Sequence, residues 1–303
     1  MALNNPSPLD VSRHLQCQMA GAGGFHDKEI VLRYGAFVGS KIESHTHLQR
    51  AMGRARTRIE MSAASGSSIA SGTVILADTM SHSRGRFSRE WHAPPGGVWG
   101  CMIHANTLLP GSRNLVPLAV GVACCEAVRE TGGRGAVLRW VNDLLLEGKK
   151  LAGFLVETYT ESHFKEEYNL VGFGININNR NFPEELSGSA VSLAEVLGYS
   201  VDPASFTALF LARLAWNFGL LYYEESCDLR GDGFSGEAGE HLLLREWRQL
   251  SDTIGQRVQY GFDVMTSPQY EADVLGIDGR GGLHLRLDDG LEKVEYSGEV
   301  RYL

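Results

Sequence analysis

Apolar residues in this chain come in short dense runs, and their spacing predicts strands alternating with helices over most of its length. Thr73-Val-Ile-Leu-Ala-Asp78 and Gly97-Val-Trp-Gly-Cys-Met-Ile-His104 are continuous runs of strand length. Ala136-Val-Leu-Arg-Trp140, Leu144 to Lys149, Lys150 to Glu157 and Tyr168 to Asn176 follow as further strands, with a tight turn at Glu147-Gly148. Ile30 to Tyr34 reads as a first strand. Ile42 to His47 reads as the end of another, leading into a polar helix over Leu48 to Arg58 that Ser44 or Thr46 could cap. Ala63 to Ser71, rich in Ser, Ala and Gly, reads as a loop.

Asn114 to Arg129 is apolar nearly all round, carries Ala119, Gly121 and Ala123 for close packing, and has Pro117 in its first turn. That predicts a buried helix. Ser192-Leu-Ala-Glu195 is a capping box for a short helix that Gly198 ends. Asp202-Pro203 starts a longer one, with Phe206, Phe210, Leu214, Phe218 and Leu221 spaced for one apolar face. Gly231 to Gly239 is a connector, and Glu240 to Leu250 one more helix. From Gly255 the texture changes to short apolar runs separated by Gly, Asp and Pro turns, which predicts a small all-β unit of four or five strands. Strands joined by tight turns imply an α+β protein with a mostly antiparallel sheet and helices on one face. The expected organisation is an N-terminal extension, loosely held, over 1–28, a main domain over 29–254 and a β module over 255–303.

Composition narrows the classes. The 303 residues are 43% hydrophobic, enough for a sizeable core, and carry a formal net charge of −8. That balance argues against nucleic acid and anionic membranes as partners. The five cysteines form no CxxC pair, and Cys101, Cys124 and Cys125 lie in apolar runs, which points to reduced, buried thiols. No basic-then-apolar leader is visible, and the apolar stretch Phe206 to Leu221 is interrupted by Arg213 and Asn217. The expected location is the cytoplasm.

Against this acidic background, Ser83-Arg84-Gly85-Arg86-Phe87-Ser88-Arg89 places three arginines in six residues, broken by a glycine. Between two strands, such a loop suits an anion: glycine allows close backbone approach, and guanidinium forks grip carboxylate or phosphate.

Three segments extend that reading. The arginine loop with Trp91 and Pro94-Pro95-Gly96-Gly97 is followed by Arg139-Trp140-Val141-Asn142-Asp143 and Gly148-Lys149-Lys150-Leu151-Ala152-Gly153, then by Gly172-Phe173-Gly174-Ile175-Asn176. With Gly255-Gln-Arg-Val258 and Tyr296-Ser-Gly-Glu-Val300 near the end, this order resembles the biotin–protein ligase family, within the biotin/lipoate ligase superfamily. The resemblance runs from about Ile42 to the C-terminus and implies a class II synthetase-like ligase core with a C-terminal SH3-like β-barrel.

It also implies a two-step reaction. Biotin's carboxylate attacks the α-phosphate of ATP to give biotinyl-adenylate, and a lysine on the biotin carboxyl carrier domain of a carboxylase then takes the biotinyl group. By the same resemblance Lys150, Arg86 and Asp143 carry the catalysis. Ser44, His45, Thr46, Ser81, Arg84, Gly85, Arg86, Lys150 and Gly153 would bind substrate, and Trp91, Asn142, Asp143 and Asn176 the nucleotide. Mg²⁺ is the implied ion, with Asp143 its candidate protein ligand. A DNA-binding domain, and with it a repressor role, is not expected; the oligomeric state, a homodimer included, is left open.

The departures from the family fall at one end. Its Ser-Thr-Asn reads here as Ser44-His45-Thr46, its glutamine before the arginine loop as Ser81, two of its glycines as Ser83 and Ser88, and its KWPND as Arg139-Trp140-Val141-Asn142-Asp143. Adenylate chemistry is therefore kept and acid recognition altered, with His45 expected to set which acid is taken. The alternatives are a ligase for lipoate or octanoate, and a non-catalytic paralogue that binds an adenylate or an acceptor.

Overall fold

The apolar runs of the first half of the chain become neighbours in one sheet. A computed structural model describes residues 6–21 and 27–303. Helices α1 (Pro8–Gly21) and α2 (Lys28–Gly35) precede strand β1 (Lys41–Leu48), helix α3 (Ala51–Ala64), and strands β2 (Thr73–Met80) and β3 (Val98–Ala105). After the short α4 (Pro110–Arg113) come α5 (Val116–Glu130), β4 (Val137–Arg139), β5 (Asp143–Leu146), β6 (Lys149–Thr160) and β7 (Glu167–Ile175). Helices α6 (Leu193–Leu197), α7 (Pro203–Arg230) and α8 (Leu242–Leu250) close the main unit.

The seven strands run in the order β1-β2-β3-β7-β6-β5-β4. Only β1 and β2 are parallel, joined by α3; every other pair is antiparallel. The sheet has helices on both faces, not one. Ala51, Met52, Ala55 and Ile59 of α3 pack with Ile75, Cys101, Ile103 and Leu170 on one side. Residues of α5, α7 and α8 pack with Val74, Met102, Val171 and Phe173 on the other. Helix α5 is apolar all round because it is enclosed on all sides. Asp202 caps α7 by accepting from the Ser205 backbone N–H at 2.8 Å, and Gly231 ends it at φ 81°. By length and composition α7 could cross a membrane, yet it is mostly buried as the core helix of this unit.

Three local expectations are corrected. Residues 8–21 are a helix with Val11 and Leu15 in the main core, where a loosely held extension was expected; residues 1–5 and 22–26 lie outside the described residues. Ile30 to Tyr34 is part of helix α2, not a strand. Its β-branched residues favour a strand locally, but Gly35 and Gly219 let α2 and α7 touch backbone to backbone. A Cβ on Gly35 would lie 1.8 Å from the Ala215 carbonyl oxygen, and one on Gly219 would lie 2.1 Å from that of Val31. That contact outweighs local propensity. The Gly35→Ala variant is accordingly expected to lose about 3 kcal/mol, since neither helix backbone can yield; urea unfolding measures it, and an unchanged midpoint would refute the contact. Finally, α3 starts at Ala51 rather than Leu48, because β1 stays paired with β2 as far as Leu48↔Met80, and it extends to Ala64, into the stretch read as loop. Ser44 and Thr46 therefore cap nothing.

The chain ends in strands β8 (Arg257–Gly261), β9 (Tyr270–Ile277), β10 (Leu283–Arg286), β11 (Glu292–Glu295) and β12 (Glu299–Tyr302). They form an antiparallel sheet in the order β11-β10-β9-β8-β12. Trp140 ties it to the main unit: its indole N–H donates to Gly281 O at 3.2 Å, and its backbone N–H to Thr253 Oγ1 at 3.1 Å.

Candidate active site

On the α3 side of the sheet lies a cavity of about 460 Å³, within the range of small-molecule sites. Its floor is made by missing side chains. Gly153 of β6 pairs with Gly174 of β7, and Leu155 with Gly172, one side-chain row further on. A Cβ on Gly174 would meet the Trp91 indole at 2.5 Å, and one on Gly172 would meet Met52 Sδ at 2.9 Å. The glycines thus let Trp91 lie directly on the sheet. The Trp91 indole N–H is buried without a partner among the described residues, a costly state that an acceptor on a ligand would relieve.

The basic wall comes from two turns. Glu147 (φ 52°) and Gly148 (φ 73°) form the tight β5–β6 turn, which brings Lys150 back beside Asp143. Lys150 Nζ lies 2.6 Å from Asp143 Oδ1, and Arg139 Nη2 lies 2.6 Å from Asp143 Oδ2. Burial pushes the Asp143 carboxyl up, but Lys150 and Arg139 outweigh it and hold it below the ordinary carboxylate value. Lys150 also sits over the Trp91 ring, 5.5 Å from its centroid. Its backbone is gripped by the 189–191 segment, donating to Ser189 O at 2.8 Å and accepting from Val191 N–H at 3.1 Å. Asn176 accepts at Oδ1 from Asn179 Nδ2 (3.0 Å), and Asn142 Nδ2 donates to Phe154 O at 2.8 Å.

The arginine loop closes the cavity from above. It leaves the sheet as a short ladder, with Met80 N–H donating to Ala93 O, Trp91 N–H to Ser83 O and Gly85 N–H to Arg89 O. Arg84 is exposed on the cavity wall with no side-chain partner among the described residues. Arg86 donates to the Gly298 carbonyl of the C-terminal sheet, and burial lowers its guanidinium from the ordinary value. Arg89 pairs with Glu299, which also lines the cavity. The C-terminal sheet therefore holds this loop.

Of the residues singled out in the sequence, Arg84, Gly85, Arg86, Trp91, Asn142, Lys150, Gly153 and Asn176 line this one cavity, and Asp143 stands behind Lys150. Ser44, His45, Thr46 and Ser81 do not line it. The first three lie on the edge strand β1, where His45 Nε2 is 2.8 Å from Glu43 Oε1, and Ser81 Oγ bonds its neighbour His82 at 3.0 Å. His45 is thus not placed to choose the acid. The end of the cavity expected to hold them is built instead by Arg50, Ala51 and Met52 at the start of α3, with Met80 and Leu155. Sequence reasoning missed these because it began the helix three residues early. The missed Glu299 stood inside the quoted Tyr296-Ser-Gly-Glu-Val300 motif.

For the implied Mg²⁺, both Asp143 oxygens are already engaged by cations, and no cluster of three metal-ligating side chains occurs among the described residues. The residues present do not form a protein-held metal site. A Mg²⁺ carried by phosphate oxygens of a ligand, which is usual for that ion, would need no such site.

A mixed sheet with a glycine-floored cavity and fixed cations on its rim defines an α+β protein built to bind an anion. Comparison with known proteins makes this specific. Residues 56–176 match the Biotin/lipoate A/B protein ligase family. The chain is 28% identical over 263 residues to the biotin–[acetyl-CoA-carboxylase] ligase of Mycobacterium tuberculosis, covering 83% of this chain and 81% of that protein. It is also 28% identical over 232 residues to the bifunctional ligase/repressor BirA of Bacillus subtilis, covering 76% of this chain and 66% of the relative. Among solved structures, the fold matches the biotin protein ligase of Aquifex aeolicus in complex with biotin and ATP, with TM-score 0.66, 22% identity, and 87% and 99% of the two chains covered.

Proposed function

We propose that the protein is an ATP-dependent biotin–protein ligase, which activates biotin as biotinyl-adenylate and transfers it to a lysine of a carboxylase's carrier domain. The observation that carries this reading is the basic rim. Lys150, Arg84 and Arg86 line one cavity, and Lys150 is held by a carboxylate that stays charged. Two anions, a carboxylate and a triphosphate, repel until fixed positive charge offsets them. The relatives named as biotin ligases support the choice of acid.

In the first step a carboxylate oxygen of biotin bonds to the α-phosphorus of ATP, and the bond from that phosphorus to the bridging oxygen breaks, releasing pyrophosphate. Negative charge grows on the α-phosphate oxygens as this happens. The Lys150 ammonium, already oriented by Asp143, stabilises that charge without reorganising. Arg84 and Arg86 hold the anions, while the glycine floor and Trp91 exclude water from the mixed anhydride. In the second step the neutral amine of the acceptor lysine attacks the biotinyl carbonyl; the bond to AMP breaks, and the amine loses its proton.

Acid-dependent ATP–pyrophosphate exchange, run in parallel with biotin, lipoate and octanoate, tests this. Exchange is expected with biotin, followed by label transfer to a carrier domain. Exchange with lipoate or octanoate alone would assign a different acid, and none with any acid would reject the ligase reading.

A further inference from the structure

We infer that Arg50 sets which acid this cavity accepts, by donating to an oxygen at the end of the acid remote from its carboxylate. The inference rests on the acid-activating reading above. Lys150 marks the carboxylate end, its side chain lying over Gly153. At the other end Met52 lies over Gly172, and Arg50 Nη2 donates to Glu157 Oε1 at 2.9 Å and to Met52 Sδ at 3.5 Å. Gly153 and Glu157 are four residues apart on β6, about 13 Å at the usual strand rise. That length suits a carboxylic acid with a short chain and a terminal ring, but it suits octanoate as well. Length alone does not discriminate.

Arg50 does. Its neighbours on the cavity wall, Met52, Met80 and Leu155, are apolar and would cover a chain or a ring without preference. A guanidinium has five N–H donors, yet only Nη2 of Arg50 has a protein partner among the described residues, and Nε is buried with none. Glu157 is also shared with Arg56, so one carboxylate serves two guanidiniums and this end of the cavity keeps an excess of positive charge. An alkyl tail or a dithiolane ring would seal these donors away from water unpaired. A carbonyl oxygen, such as that of a cyclic urea, would pair with them. Sites with donors waiting for a substrate oxygen reject analogues that lack it far more strongly than apolar pockets reject a mismatched shape.

The test compares wild type with Arg50→Met and Arg50→Lys, using biotin and octanoate as probes in pyrophosphate exchange and in calorimetric titration. Arg56 still pairs with Glu157 in both variants, so neither leaves that carboxylate alone. Arg50→Met is expected to raise the KM and Kd for biotin ten- to a hundredfold. The KM for ATP should stay unchanged, the preference for biotin over octanoate should shrink by a similar factor, and Arg50→Lys should recover part of it. Wild-type biotin affinity and an unchanged preference in Arg50→Met would overturn the assignment while leaving the ligase reading intact. A wild type that activates neither acid would overturn both.

Discussion

Replacing Lys150 by alanine is expected to lower acid-dependent pyrophosphate exchange by about 10²-fold or more in a protein that still folds. Among the described residues, Lys150 is the one cation that touches the cavity, the Trp91 face and the Asp143 carboxylate together. Its position is set by backbone before side chain: the Glu147-Gly148 turn and the bonds to Ser189 and Val191 fix where β6 begins. On the proposed ligase reading, removing the ammonium therefore deletes charge at the reacting phosphate without loosening the frame. The fold tolerates the change because Asp143 keeps Arg139 at 2.6 Å, and because the Lys150 side chain, 36% exposed, contributes about 1 kcal/mol or less to stability. Lys150→Arg should not restore the rate, since a planar fork on a longer stem cannot stand in for a compact ammonium at one point. Exchange at the wild-type rate in folded Lys150→Ala would remove this residue from the mechanism.

The Asp143→Asn variant should lose both activity and stability, in a pH-dependent way. Asparagine keeps the volume but leaves Lys150 and Arg139 as neighbouring like charges with no carboxylate between them. Exchange should fall on the order of tenfold or more, because nothing then pins Nζ. Stability at neutral pH should fall by about 1–3 kcal/mol, less than for a fully buried pair because both cations are partly solvated. The sign with pH follows from the direction of the shift. The folded-state carboxyl is held below the ordinary value of 3.8, so its contribution is present above that value and is lost as pH falls below it. The gap in urea midpoint between wild type and variant should thus be constant from neutral pH down to about 3.8, and close below it. A gap that persists in stronger acid would show that packing, not charge, is the source.

Much of the frame was legible from residue pattern alone. The runs that became β2, β3, β6 and β7, the capping box at Ser192, the Asp202-Pro203 start of α7 and the change of texture at Gly255 each rest on a short-range rule, so no distant contact was needed to read them. The same holds for the Lys150 turn and the arginine loop, whose glycines and charges have few other uses. Where local rules and packing disagreed, packing won. Ile30 to Tyr34 has strand-forming residues, but it is a helix because Gly35 meets α7. Residues 8–21 show no strong period, yet they dock through Val11 and Leu15.

By itself, then, the sequence determined the α+β class, the order of the strands along the chain and the basic rim of the cavity. Each of these is encoded by residues close together in the chain. Only the tertiary structure decided what fills the other end. The register of β1 against β2 carries that strand to Leu48, moves the start of α3 to Ala51, and so places Met52 over Gly172 and Arg50 on the cavity wall while Ser44, His45 and Thr46 stay on the sheet edge. The tertiary structure also brings Gly298 and Glu299 onto Arg86 and Arg89 across more than two hundred residues of chain. A register shift of a few residues leaves composition and periodicity almost unchanged, yet it exchanges which side chains face the ligand.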